Sequence, residues 1–192
     1  MSLVERVKNI LLTPKTEWEV IDTEQTSVGA LYTGYVMPLA AIGPVAQVIG
    51  FSVFGMRVPF GGVYRTPIGS AITGAIVSYV LTLVGVYVLA LIIDALAPTF
   101  GGTKSQMQAL KVAAYAATAG WIAGIFSMVP GLRFLGILGL YSLYLLYLGL
   151  PVLMKAPKEK AVTYTVVVIV AAIVLAMIVA TIAGRFMTIP VA

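Results

Sequence analysis

The side chains best suited to chemistry are missing. The 192-residue chain contains neither histidine nor cysteine. Serine–histidine–acid, cysteine–histidine, HExxH and thiolate-metal chemistries are therefore impossible within it. One ionisable residue stands out. Asp94 is the sole acid between Glu24 and Glu159, and it sits at the end of an apolar segment. A carboxylate at membrane depth is costly, so it needs a partner or a function. Lys104 and Lys111 follow after a short loop, and Tyr115 one turn later. Asp94, Lys104, Lys111 and Tyr115 thus form a candidate polar site. Its structural version is an Asp94–Lys111 or Asp94–Lys104 pair, helped by the N–H groups of Gly101 and Gly102. Its functional version is a proton- or cation-coupled carboxylate. No catalytic residues, cofactor or metal ligands are assigned. Pro59-Phe60-Gly61-Gly62 and Pro98-Thr99-Phe100-Gly101-Gly102 match neither a P-loop nor a dinucleotide fingerprint.

The elements that must carry these residues belong in a membrane. Hydrophobic residues make up 60% of the chain and charged residues 10%, with a mean hydropathy of +1.04. Soluble domains carry about 25% charged residues. Five apolar segments run over 29–54, 68–96, 111–128, 132–154 and 161–184. Each has the roughly 17–25 residues a helix needs to cross the hydrocarbon. The loops are short, so neighbouring spans pack antiparallel. The expected fold is all-α, a compact five-span bundle. Residues 1–28 form a cytoplasmic amphipathic segment, and residues 29–192 the membrane domain.

Leu3, Val7, Ile10 and Leu11 recur at helical spacing, so residues 2–12 read as a helix lying on a surface. Thr13-Pro14 then starts a second short helix bearing Trp18 and Ile21. Arg6, Lys8, Lys15, Lys104, Lys111, Lys155, Lys158 and Lys160 fall on the N-terminal side, and Arg57, Arg65, Arg133 and Arg185 on the other. Eight against four puts the N-terminus in the cytoplasm and the C-terminus outside. The formal charge of +5 flanks apolar segments, so membrane lipids are the expected partner rather than nucleic acid.

Pro38, Gly43, Pro44 and Gly50 predict a kinked or broken first span, with Gln47 inside it. Gly120–Gly124 is a GxxxG pair, and Ser70–Gly74 repeats the small-residue spacing. Such faces serve packing within the bundle or a homodimer. Tyr141, Tyr144 and Tyr147 line part of the fourth span as an aromatic seam or pathway.

Several stretches together resemble the prokaryotic branch of the Yip1 domain family. They are Pro14-Lys15-Thr16-Glu17-Trp18, the run from Asp94 to Gly102, the run from Gln108 to Ala116, and the run from Leu138 to Leu150. The positions matching the family pattern are Asp94, Pro98, Gly101, Gly102, Lys111, Tyr115, Tyr141 and Tyr144. The resemblance implies five spans and a cytoplasmic N-terminus. In eukaryotic members it also implies links to Rab GTPases, vesicle formation and membrane shaping. The expected function is that of a non-enzymatic membrane protein, an interaction, membrane-organising or trafficking-like scaffold with an unidentified protein partner. The alternative is a solute or ion transporter acting as an oligomer. The expected location is the prokaryotic cytoplasmic membrane.

Overall fold

The computed structural model describes residues 1–58 and 62–186. Five helical segments are long and apolar enough to cross a membrane: Val28–Phe54, Ile68–Phe100, Gln106–Met128, Pro130–Leu153 and Lys158–Phe186. The third starts at Gln106 rather than Lys111. Ser105 is its N-cap, accepting from the Gln108 amide at 3.4 Å, and this extends the helix by more than a turn. The first span is broken, as its prolines require. A turn at Ala41 separates short α-helices, and π-helical turns occupy Tyr32–Val36 and Gly50–Phe54. The fourth span begins as a 3-10 helix, Pro130–Leu140, and becomes α-helical over Tyr141–Leu153.

The first two spans are joined by a small antiparallel ribbon, β1 (Met56–Val58) and β2 (Gly62–Tyr64), paired from Met56–Tyr64 to Val58–Gly62. Pro59, Phe60 and Gly61 of the first proline–glycine pattern lie outside the described residues, as do residues 187–192 at the C-terminus.

Small residues let the spans approach closely. A Cβ on Gly124 would stand 3.0 Å from the Gly43 Cα, and one on Gly50 only 2.4 Å from the Ser127 carbonyl oxygen. The Gly120 amide donates to Ser142 Oγ at 2.9 Å. The Gly120–Gly124 face is thus used inside the bundle, where the third span meets the first and fourth.

The N-terminal helices depart most from expectation. α1 (Leu3–Leu12) opens on a capping box between Ser2 and Glu5, and α2 (Pro14–Thr23) carries proline in its first turn. They form a hairpin that stands upright along the spans instead of lying flat. Three markers give its depth. Met1 and Ser2 border a cavity with Ala30 and Gly34 of the first span. α1 packs on the Thr118–Ala123 helix of the third span. The Tyr141 hydroxyl donates to the Leu11 carbonyl at 3.1 Å. From Leu153 back to Tyr141, or from Gln106 to Thr118, is roughly 18 Å of helix. The tip of the hairpin therefore reaches that far along the third and fourth spans.

The driving force is apolar. Ile10, Trp18 and Ile21 are fully buried and belong to the same core as Tyr115, Leu145 and Leu150. Trp18 lies flush on the fourth span at Gly149, where an added Cβ would be 2.7–2.9 Å from the indole ring. Gly149→Leu is expected to expel Trp18 and cost about 1–3 kcal/mol. Thermal unfolding in detergent, followed by tryptophan emission, reads both effects. A variant as stable as the parent with unchanged emission contradicts the packing.

Candidate functional site

The ionisable residues concentrate where the hairpin meets the spans. On α1, Arg6 shares the buried face with Ile10; on α2, Glu17 shares it with Trp18 and Ile21. Arg6 pairs with both Glu17 and Glu24, so one guanidinium fastens the two helices together. Burial works to lower the Arg6 pKa. The hydrogen bond to Glu24, with the neighbouring Tyr115, Glu24 and Glu17, outweighs burial and raises it. The guanidinium lies 5.5 Å from the Tyr115 ring centre. Tyr115 in turn meets Tyr35 edge-on at 4.6 Å and Trp18 at 6.3 Å. The Tyr35 hydroxyl is hydrogen-bonded to Thr118 Oγ1 at 2.7 Å. A 220 Å³ cavity opens beside Arg6, bordered by Ser2, Glu24, Thr26, Tyr35 and Tyr115.

Lys111 closes the joint. Its Nζ donates to the carbonyls of Ile21 at 2.8 Å and Glu24 at 2.6 Å. These belong to the C-terminal end of α2, where unpaired carbonyls and the helix dipole favour a cation. Nearby, Lys155 pairs with Asp22, and Gln108 Nε2 donates to the Asp22 carbonyl and to its Oδ1, both at 3.0 Å.

This arrangement corrects the pairing expected for Asp94. Lys111 is engaged by α2, and Tyr115 by Arg6, Tyr35 and Trp18. The Gly101 and Gly102 amides donate to the carbonyls of Pro98 and Ala97. Among the described residues Lys104 makes no ion pair, and the buried Asp94 Oδ1 has no hydrogen-bond partner. Asp94 instead follows Ile93, whose carbonyl receives the Tyr164 hydroxyl from the fifth span. The physical reason is that the unpaired carbonyls at the end of α2 converge on the ammonium and carry the partial negative charge of the helix terminus.

The other pattern positions have structural places. Pro98 opens the 3-10 turn Ala97–Phe100, and Gly101 ends it with φ +74°. The Thr103 amide then donates to the Met154 carbonyl at 2.8 Å, tying this loop to the end of the fourth span. Tyr141 bonds to α1, and its ring lies 5.4 Å from that of Tyr144, which is exposed. The sequence reading passed over Arg6, Asp22, Glu17, Glu24, Tyr35 and Gln108. A signal was available for two of them, because Arg6 and Glu17 lie on the apolar faces of amphipathic helices. Among the described residues no group of three or more acids could hold a metal. The charges satisfy one another, so the cluster is built as a lock.

Two stability measurements check this geometry. Arg6→Met, which leaves Glu17 buried beside no cation, is expected to cost about 3–5 kcal/mol, with most of the loss recovered by adding Glu17→Gln. Additive losses in that cycle would rule out coupling. Asp94→Asn is expected to stay within about 0.5 kcal/mol of the parent or to stabilise, since no donor is lost. A loss of more than about 1 kcal/mol would show that the carboxylate has a partner.

The comparisons with known proteins agree with this architecture. The Yip1 domain matches residues 8–180, which takes in α1 from its middle turn, α2 and most of all five spans. The chain is also similar to the inner membrane protein YohC of Escherichia coli K12, 26% identical over 156 residues, covering 79% of this chain and 80% of the relative. The same protein from Escherichia coli O6:H1 matches to the same extent. No solved structure matches. With a family match running from α1 into the fifth span, the chain belongs to the Yip1 domain family.

Proposed function

We propose that this protein acts without chemistry, by organising the bilayer around it in the prokaryotic cytoplasmic membrane. Residues 1–28 form its cytoplasmic cap and residues 29–192 its membrane domain. The observation that carries the reading is a difference in height between two faces. The second and fifth spans contain α-helices of 29 residues, Ile68–Leu96 and Lys158–Phe186, each about 43 Å long. On the other face, the hairpin covers the third and fourth spans up to Thr118 and Tyr141. Beyond it remain Thr118–Met128 and Pro130–Leu140, much of them 3-10 helix and each about 20 Å long.

The outward side of the hairpin exposes Lys8, Lys15 and Glu19. Charges of this kind belong in water. Tyr144 and Tyr147 are exposed at the same level, as tyrosines are at a membrane boundary. A bilayer core of about 30 Å would have to thin by about 10 Å against this face. At fractions of a kcal/mol per ångström, such mismatch can sort lipids and drive two short faces together. Self-association and capture of another membrane protein belong to the same reading.

A second reading has one observation in its favour. A 530 Å³ cavity between the first, second, third and fifth spans is mostly apolar but includes Gln47, Ser78 and Thr82. Solute transport would use it. Against transport stands the packed N-terminal half, filled by Trp18, Tyr35, Tyr115, Leu145 and Leu150.

Single cysteines test the thickness directly, since the chain has none of its own. Lys15→Cys on the hairpin and Val84→Cys on the second span lie at about the same depth, roughly 18 Å from the cytoplasmic ends of the spans. In inside-out vesicles an impermeant thiol reagent is expected to label Lys15→Cys and not Val84→Cys. In intact cells Val63→Cys labels and Thr103→Cys does not. Equal protection at positions 15 and 84 ends the thinning reading. Flux of ions or small solutes in sealed vesicles, abolished by Gln47→Leu, would move the assignment to transport.

A further inference from the structure

The charged side chains on the side of the molecule opposite the hairpin are all basic. Arg65, Arg133 and Arg185 stand there, and every acidic side chain of the chain belongs to the hairpin side. No carboxylate side chain can neutralise these arginines locally. Arg65 Nε donates to the Val53 carbonyl at 3.0 Å. Arg133 is less fully used. Its guanidinium lies 4.8 Å from the Phe51 ring centre, and its buried Nη2 has no hydrogen-bond partner among the described residues.

The local helix gives this arginine a setting. Arg133 lies in the 3-10 helix Pro130–Leu140. At three residues per turn, Gly136 and Gly139 fall in line with it. Gly120, Gly124 and Ser127 of the third span form the facing wall. The result is a 310 Å³ cavity with an arginine at its outer end and mostly small residues along its walls, closed by Ala123 and Leu140. A guanidinium carries a planar fork of donors that matches a phosphate. Gly136 leaves open space one turn further in, with nothing within 4 Å of where a Cβ would stand, and such a gap suits an alkyl chain.

We propose that this cavity binds one anionic phospholipid of the arginine-side leaflet, with its phosphate on Arg133 and one acyl chain passing over Gly136. The headgroup is of the phosphatidylglycerol class. An ammonium-bearing headgroup would find no carboxylate side chain on this side and would meet arginines instead. The site is independent of the hairpin and of the bilayer thickness against it.

The test is lipid retention by the purified, delipidated full chain, read by native mass spectrometry during titration. The probes are phosphatidylglycerol, phosphatidylcholine, diacylglycerol and inorganic phosphate. The parent is expected to hold one phosphatidylglycerol per chain in preference to the other three. Arg133→Ala weakens it about tenfold or more, and Arg133→Lys less, because one point charge replaces the fork. Gly136→Leu is the folding-neutral control, since a Cβ there meets nothing within 4 Å. It keeps the parent's melting temperature and loses the lipid. Arg185→Ala retains the lipid.

Unchanged phosphatidylglycerol retention in Arg133→Ala overturns the proposal, as does diacylglycerol or phosphatidylcholine binding as tightly as phosphatidylglycerol. Displacement of the lipid by inorganic phosphate at equal affinity reduces the site to an anion pocket and also overturns it. If Arg133→Ala fails to fold, Arg133→Lys and Gly136→Leu decide. Full retention in both is a negative result.

Discussion

The Lys111 ammonium holds the N-terminal half of the molecule together. It is buried on the third span and bonds to two carbonyls at the end of α2. A buried ammonium without acceptors would be strongly destabilising, so the third span cannot pack as it does unless α2 is seated on it. Seating α2 brings Glu17 inward on the same face as Trp18, and Glu17 then requires Arg6 from α1. One cation on a span thus fixes both helices of the hairpin. The polar bonds set orientation and register, while the burial of Ile10, Trp18 and Ile21 supplies the larger attraction.

The upright hairpin has consequences for the rest of the bundle. The hairpin covers one side of the third and fourth spans over about half of their length, so those spans need less apolar reach of their own. They can end in 3-10 segments, which leave glycines such as Gly120, Gly136 and Gly139 beside one another. The second and fifth spans have no such cover over their length. They remain long, continuous helices, the fifth packed mainly on the second, and expose side chains such as Val80, Val84, Val170 and Val174. The broken first span sits between the two regimes. Its Gly43 and Gly50 contacts with the third span place it in the bundle, and its π-helical turns absorb the register lost at Pro38 and Pro44.

Much of this was legible in the sequence, and the failures have specific causes. Span number and position follow from apolar length, which lipid enforces strictly. The break in the first span follows from Pro38 and Pro44. The direction of the hairpin did not follow, because an amphipathic helix looks the same whether lipid or protein covers its apolar face. Arg6 and Glu17 carried the distinction: charges centred on that face suit a protein partner with counter-charges, not hydrocarbon. Lys111 was paired with Asp94 because sequence displays carboxylates and hides carbonyls. Its true acceptors are main-chain atoms exposed only by where α2 stops. The 3-10 character of 130–140 was hidden as well, since leucine and glycine repeats there are compatible with either helix type.

The two sides of the membrane then handle charge by different rules. On the hairpin side, acids and bases are mixed and consume each other through Arg6 with Glu17 and Glu24, and Lys155 with Asp22. The buried charges of that side are committed to shape, while Lys8, Lys15 and Lys104 stay exposed outside those pairs. On the opposite side, arginines stand without acidic side chains, so their countercharge must come from outside the chain. In a bilayer the nearest such supply is the phosphate layer. A protein with no catalytic side chains thus has two physical means of acting on its surroundings. One is the unequal helix length of its two faces, and the other is a set of guanidinium groups on a side without carboxylate side chains.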